Sequence, residues 1–200
     1  KYDHVKIGKR QVGSTIKPFL YTIAMREGYS PCYEVPCIPT TFELGDGTTW
    51  TTENADKSPM EGKMVTLKWG LANSNNFISA WLMKQFSPKP FVEIMRSAGV
   101  TSYIDPVPSM ILGTSDISIY EMVGAYGTFA NKGVFQTPIF VTRIEDKYGN
   151  EIASFNSPGN DVISEETAYL MLNLLMGVVR EGSGRRLRFK YQLYNDIEGK

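Results

Sequence analysis

Arg10-Gln-Val-Gly-Ser-Thr-Ile-Lys-Pro-Phe19 is the stretch on which the reading of this chain turns. After Gly13-Ser14, Ile16, Leu20 and Ile23 recur at helical spacing, and Gly28 is a natural stop. A helix is therefore expected from about Ser14 to Glu27. Residues three apart share a helix face, which brings the Lys17 amine within reach of the Ser14 hydroxyl. A helix start also presents backbone N–H groups and the positive end of the helix dipole to a developing anion. A serine acyl-enzyme without histidine needs both things, an adjacent base and electropositive surroundings. To take a proton Lys17 must be neutral, which requires desolvation or a nearby cation. A helix cap followed by a solvated lysine would present the same four residues.

Composition narrows the chemistry further. The chain has 200 residues, 42% of them hydrophobic and 21% charged, an ordinary globular balance that can bury a core. Twenty-one basic and 21 acidic side chains cancel, so nothing global attracts nucleic acid or an anionic membrane. A single histidine, His4, excludes a multi-histidine zinc site and all but excludes a Ser-His-Asp triad. Acid–base work must then fall to Lys, Tyr, Asp or Glu, and no metal or cofactor is expected. Cys32 and Cys37 cannot fill a tetrahedral zinc site; a short-loop disulfide and two free thiols both remain open. The longest apolar run, Tyr169 to Val179, is broken by Asn173 and falls short of the roughly 20 residues that span a bilayer. It reads as a buried helix. The N-terminus lacks the pattern of a signal peptide, which says nothing about secretion.

Along the chain, residues 29–63 hold Pro, Gly, Thr and Asp without period. They read as a long surface excursion with short strands at Thr40 to Leu44 and Thr48 to Thr51, and so long a loop is usually functional. Thr66 should cap a helix running to Asn73, and Asn76 or Phe77 should start another through Trp81 and Phe86. Pro88 to Ala98 is a third, ended by Gly99. Ser115 should cap an amphipathic stretch to Phe129 that stops at Asn131-Lys-Gly133. A β-rich run, Val134 to Glu145, should turn at Asp146 to Asn150 and return near Glu151 to Phe155. The last long helix is expected over Glu165 to Arg180, closed by Gly182-Ser-Gly184. Trp69, Trp81 and Met122 read as core. Tyr33 and Trp50 are expected to pack on their own loop rather than line a groove.

Two further stretches could carry chemistry. In Ser74-Asn75-Asn76 a hydroxyl can relay a proton, and an amide can both donate to and accept from a peptide. A plain helix connector would use the same residue types. The chain ends Ile197-Glu-Gly-Lys200, which means nothing by itself.

Taken in order, Ser14-Thr-Ile-Lys17, Ser74-Asn-Asn76 and Lys200 resemble the S-x-x-K, S-x-N and K-T-G signature of the penicillin-recognising serine acyltransferases. The flanks sharpen the resemblance. Arg10 to Phe19 is similar to R-Q-P-G-S-x-x-K-P-F, with Val12 where the family usually has Pro. Val65-Thr-Leu-Lys-Trp-Gly-Leu-Ala-Asn-Ser-Asn-Asn76 resembles V-T-L-x-x-A-L-x-x-S-x-N. Leu112-Gly-Thr-Ser-Asp-Ile-Ser118, Ala125-Tyr-Gly-Thr-Phe-Ala-Asn-Lys-Gly133 and Val179-Arg-Glu-Gly-Ser-Gly-Arg-Arg186 match as well. Together they look like the transpeptidase domain of class A, bifunctional penicillin-binding proteins.

That resemblance implies an α+β fold, of which residues 1–200 are a helix-rich part lacking some of the central antiparallel sheet. The domain would be cut at the Lys of K-T-G, leaving an exposed face where the sheet belongs and a route to self-association. It also implies a D,D-transpeptidase that cross-links peptidoglycan stem peptides ending in D-Ala-D-Ala and is trapped by β-lactams. Ser14 would be the nucleophile, Lys17 the acylation base, Ser74 the proton relay and Asn76 the holder of the acyl-side amide and the tether of Lys17. Lys200 would orient Ser74 and attract the substrate carboxylate. Only one of the two oxyanion donors, the Ser14 N–H, would exist here, so little acylation is expected of this chain alone. A glycosyltransferase domain and a membrane anchor would lie upstream, on the periplasmic side of a bacterial inner membrane. A D,D-carboxypeptidase or β-lactamase and a β-lactam or peptidoglycan sensor are the alternatives. No E-x-x-L-N segment is present to supply the carboxylate of a class A β-lactamase.

Overall fold

Pro18 occupies the first turn of α1 (Lys17–Arg26), where its missing N–H has no helical partner to lose. The computed structural model describes all 200 residues. It places α1 at the centre of the molecule: every residue from Lys17 to Met25 is buried. The helix packs against α3 (Asn76–Phe86), α4 (Pro88–Ser97) and α6 (Glu165–Arg180). A helix apolar all round is a core helix, and Phe19, Leu20, Ile23, Ala24 and Met25 join one cluster of 33 buried side chains. The α-helix begins three residues later than the sequence suggested. Gly13–Ile16 form a 3₁₀ turn that feeds into α1, so Ser14 lies in the turn and Lys17 opens the α-helix.

The remaining helices follow their caps. Thr66 accepts from the Trp69 N–H to start α2 (Leu67–Ala72), and Asn75 accepts from Phe77 and Ile78 to start α3. Ser164 caps α6, which runs over the expected residues. In the amphipathic stretch the cap is Ser118, not Ser115, because Asp116–Ser118 is taken up as strand β6. Helix α5 therefore covers Ile119–Ala130. Its Ser118–Glu121 capping box satisfies the first turn from both sides. A short helix, α7 (Arg186–Phe189), follows Gly184 and has no strong sequence signal.

Strands occur only as antiparallel pairs. β1 (Lys9–Gln11) pairs with β6, setting Arg10 opposite Ile117 just ahead of the 3₁₀ turn. β2 (Glu34–Pro36) and β5 (Met64–Thr66) close the base of the excursion, and β3 (Thr41–Glu43) and β4 (Thr49–Thr51) form its hairpin. The β-rich run is two strands rather than one. β7 (Val134–Gln136) pairs with β10 (Gly159–Asp161), and β8 (Arg143–Glu145) pairs with β9 (Glu151–Ser154) around the Asp146–Asn150 turn. The stretch between β7 and β8 contains Pro138, whose missing N–H cannot join a ladder. Trp69, Trp81 and Met122 pack partly buried against the core. Trp50 stacks on Phe42 at 5.5 Å, and Tyr33 packs on Tyr29 at 4.8 Å. Both cysteines are free thiols, Cys32 exposed and Cys37 buried.

Candidate active site

Lys17 is 1% exposed, a rare situation for an amine and one produced by the central position of α1. Its Nζ donates to the Asn76 Oδ1 at 2.6 Å, the Ser74 main-chain O at 2.7 Å and the Ser74 Oγ at 3.3 Å. Three acceptors use all three donors of an ammonium. Desolvation works in the opposite direction and lowers the Lys17 pKa from 10.5 to about 8. Burial thus brings the amine close to the range in which it can exchange a proton at working pH.

Ser14 is one turn before Lys17 and lines a groove of about 560 Å³ together with Ser74, Asn76 and Trp69. Its hydroxyl makes no hydrogen bond within the protein and serves as no helix cap. Neighbouring groups hold the turn that carries it. The Thr15 hydroxyl donates to the Val12 carbonyl at 2.6 Å, and the Tyr126 hydroxyl donates to the Thr15 carbonyl at 2.7 Å. Beneath the turn, Gly113 adopts φ +73°, and a Cβ there would stand 1.9 Å from the Gly13 carbonyl oxygen. The two glycine backbones touch, with the Gly13 N–H donating to the Gly113 carbonyl at 3.0 Å.

The second motif is built on a tight link between α2 and α3. Ser74 has φ +56°, a left-handed conformation that is strained for a serine. Its N–H donates to the Leu71 carbonyl and the Asn75 N–H to the Gly70 carbonyl, so the end of α2 fixes the link. The tail of α6 braces the same helix end. A Cβ on Gly182 would lie 2.1 Å from the Ala72 carbonyl oxygen, which instead accepts from the Ser183 N–H at 3.0 Å. This close approach accounts for the glycine in Glu181-Gly-Ser-Gly184.

Lys200 joins the group from the far end of the chain. Its Nζ donates to the Leu71 carbonyl at 2.6 Å, the same oxygen that receives the Ser74 N–H. It makes no hydrogen bond to the Ser74 side chain. Desolvation first, and the Lys17 charge second, lower its pKa to about 7. The five residues singled out in the sequence therefore converge. Lys17 bonds Ser74 and Asn76, Lys200 shares an acceptor with Ser74, and Ser14 shares the groove with Ser74 and Asn76.

Sequence reasoning missed the residues that hold this group from outside the motifs. The Asn54 side chain accepts the Asn76 N–H at 2.8 Å, and the Glu53 carbonyl accepts from Asn76 Nδ2 at 2.7 Å. Cys37 Sγ accepts from Asn75 Nδ2 at 3.6 Å. All three belong to the excursion 29–63. Its length hinted at function, but no local pattern marks these positions.

The fold has counterparts among known proteins. The chain is 29% identical over 178 residues to penicillin-binding protein 2D of Bacillus subtilis, covering 88% of this chain and 26% of that protein. Among solved structures it resembles penicillin-binding protein 1A from Haemophilus influenzae, with a TM-score of 0.83 at 21% identity over 94% of this chain and 34% of that one. It also resembles penicillin-binding protein A from M. tuberculosis, solved as an imipenem acyl-enzyme complex, with a TM-score of 0.77 at 18% identity over 88% of this chain and 45% of that one. The chain spans about a quarter of the length of the curated relatives it matches. Residues 7–200 match the family model described as the penicillin binding protein transpeptidase domain, and the chain belongs to that family.

Proposed function

We propose that this chain is part of a D,D-transpeptidase that cross-links peptidoglycan stem peptides through an acyl-enzyme on Ser14. The observation that carries the reading is the desolvated Lys17, bonded to Ser74 and Asn76 one turn from a free serine hydroxyl. A neutral Lys17 keeps its two short hydrogen bonds, to Asn76 Oδ1 and the Ser74 carbonyl, and has a lone pair left for a proton. Ser14 Oγ attacks the carbonyl of the penultimate D-Ala and gives its proton to Lys17. The C–N bond to the terminal D-Ala breaks, and Ser74 passes the proton to the leaving amine. An amine from a neighbouring strand then attacks the ester, forms the cross-link and frees Ser14. A β-lactam opens by the same attack, but its leaving nitrogen stays tethered and the ester persists. Lys200 supplies positive potential for the substrate carboxylate, and the Ser14 N–H supplies one oxyanion donor.

We further propose that the transpeptidase domain continues past Lys200 and that the second oxyanion donor lies in that continuation. Losing one such donor typically costs about 10²–10³ in rate, so residues 1–200 alone should acylate slowly. The continuation would cover the apolar face around Ile119 and Val123, which are 57% and 56% exposed, and the isolated chain would self-associate there. No helix here is long and apolar enough to cross a membrane. Anchor and glycosyltransferase would belong to the rest of the protein, acting on the outer face of a bacterial inner membrane.

The activity is tested by incubating the full-length protein with a stem peptide ending in D-Ala-D-Ala and an acceptor amine. Release of D-Ala together with amine-linked product is expected. Release with hydrolysed product alone would replace the transpeptidase with a carboxypeptidase. Acylation without release would leave a sensor.

A further inference from the structure

We propose that Asn54 is a positioning residue of this centre, fixing the main chain of Asn76 so that its side-chain oxygen, turned by the Glu53 carbonyl, meets Lys17. The inference rests on the reading of Ser14, Lys17, Ser74 and Asn76 given above and adds a residue from outside the three motifs.

A terminal amide can point either way round, and the surroundings select. The Glu53 main-chain carbonyl can only accept, so it takes Asn76 Nδ2 at 2.7 Å and Oδ1 must face the Lys17 amine at 2.6 Å. The Asn76 backbone is fixed next door, its N–H donating to Asn54 Oδ1 at 2.8 Å. Consecutive residues of the excursion therefore set both the main chain and the side chain of Asn76. Their own placement is secured by Thr52, which is 1% exposed and exchanges hydrogen bonds with Thr40 through backbone and hydroxyl. At the other end of the excursion, Cys37 takes the Asn75 side chain.

The orientation of Asn54 itself shows why the residue is an amide. A backbone N–H can only donate, so Oδ1 must face Asn76. That leaves Nδ2 buried with no partner. Buried unpaired donors are rare and call for a reason. An aspartate would accept the same hydrogen bond but would put its second, charged oxygen in the buried place of Nδ2, where no donor meets it. It would also set a carboxylate among the groups that hold Lys17, favouring the ammonium form over the amine that takes the proton. Lys200 beside Lys17, Asp56 and Lys57 in the groove, and the neighbouring, solvent-exposed Glu53 are the other charges it would join. Asparagine gives a neutral acceptor of the right length.

The test uses the full-length protein, with penicillin as the acylating probe. Single-turnover measurements separate binding from the first-order acylation of Ser14, and hydrogen exchange follows the peptide containing Asn76. Asn54→Leu should slow acylation about 10- to 100-fold, the scale of a misplaced catalytic group, with little change in binding and with faster exchange at Asn76. Asn54→Asp should keep Asn76 protected, acylate slowly at pH 7, and recover towards the wild-type rate as the pH rises. Wild-type rates in Asn54→Leu overturn the proposal. Equal impairment of both variants with an equally unprotected Asn76 also overturns it, since that marks general loop damage. A wild type that takes no adduct on Ser14 overturns the reading underneath, whereas a normal wild type with indifferent variants removes only Asn54.

Discussion

Lys17 shows what one buried charge does to both stability and chemistry. Burial lowers its pKa from 10.5 to about 8. Below about pH 8 both folded and unfolded chains hold the proton, and the cost of burying it is fully present. Between 8 and 10.5 only the unfolded chain holds it, so folding stability should rise with pH across that window. Unfolding free energies measured from pH 7 to 10 should show this rise; Lys200, lowered to about 7, adds to it, so Lys17→Met should reduce the slope above pH 8 and leave the part that Lys200 contributes. Ser74 carries a different cost. At φ +56° a glycine would relieve strain, so Ser74→Gly should be neutral or stabilising by up to about 1 kcal/mol in urea melts while acylation of Ser14 falls. A loss of stability there would mean that the hydroxyl matters more to the fold than to the site. That Ser14 stands one turn before Lys17 is legible in the sequence, because residues three apart lie on one side of a helical turn. The resemblance implies Asn76 as the tether of Lys17, but the Ser74 carbonyl as a second acceptor has no sequence signal, because a residue 57 positions away meets Lys17 only in the folded chain.

Elements were legible where caps and period agree, and displaced where a tertiary partner intervened. α2, α3, α4 and α6 begin and end near the expected residues because Thr66, Asn75, Pro88 and Ser164 are local signals. α5 was placed three residues early because Asp116–Ser118 pairs with Lys9–Gln11, a contact no local window contains. That pairing also sets Ser118 where Glu121 can meet it. The Glu121 carboxylate accepts from backbone and hydroxyl groups of Thr101, Ser102 and Ser118 at 2.7–3.0 Å. Desolvation pushes its pKa up, but the hydrogen bonds from Ser118, Ser102 and Thr101 outweigh it and hold the group well below the usual carboxylate range. Its contribution is therefore present above the unfolded value of 4.5 and fades as the pH falls below it. Glu121→Ala should lower thermal stability at pH 7 by about 2–4 kcal/mol, through the lost cap and the hydroxyls left unpaired, with a smaller difference near pH 3. A difference that holds at pH 3 would assign the effect to packing.

At the scale of the molecule, the five site residues lie in three places along the chain and are joined by one buried helix. Most of the fold was legible from the family resemblance. The excursion's grip on Asn75 and Asn76 was not, because single hydrogen bonds from irregular backbone leave no periodic trace. The apolar face beside α5, with Ile119 and Val123 more than half exposed, carries a prediction of its own. Light scattering of residues 1–200 should show the mass rising with protein concentration, and a constant monomer mass would count against that face as an association surface. A serine nucleophile at position 14 served by Lys17 should be visible in mass spectrometry of the full-length protein after penicillin treatment. The expected result is a covalent adduct that maps to Ser14 and disappears in Ser14→Ala. An adduct that persists in Ser14→Ala, or maps to another residue, would contradict it.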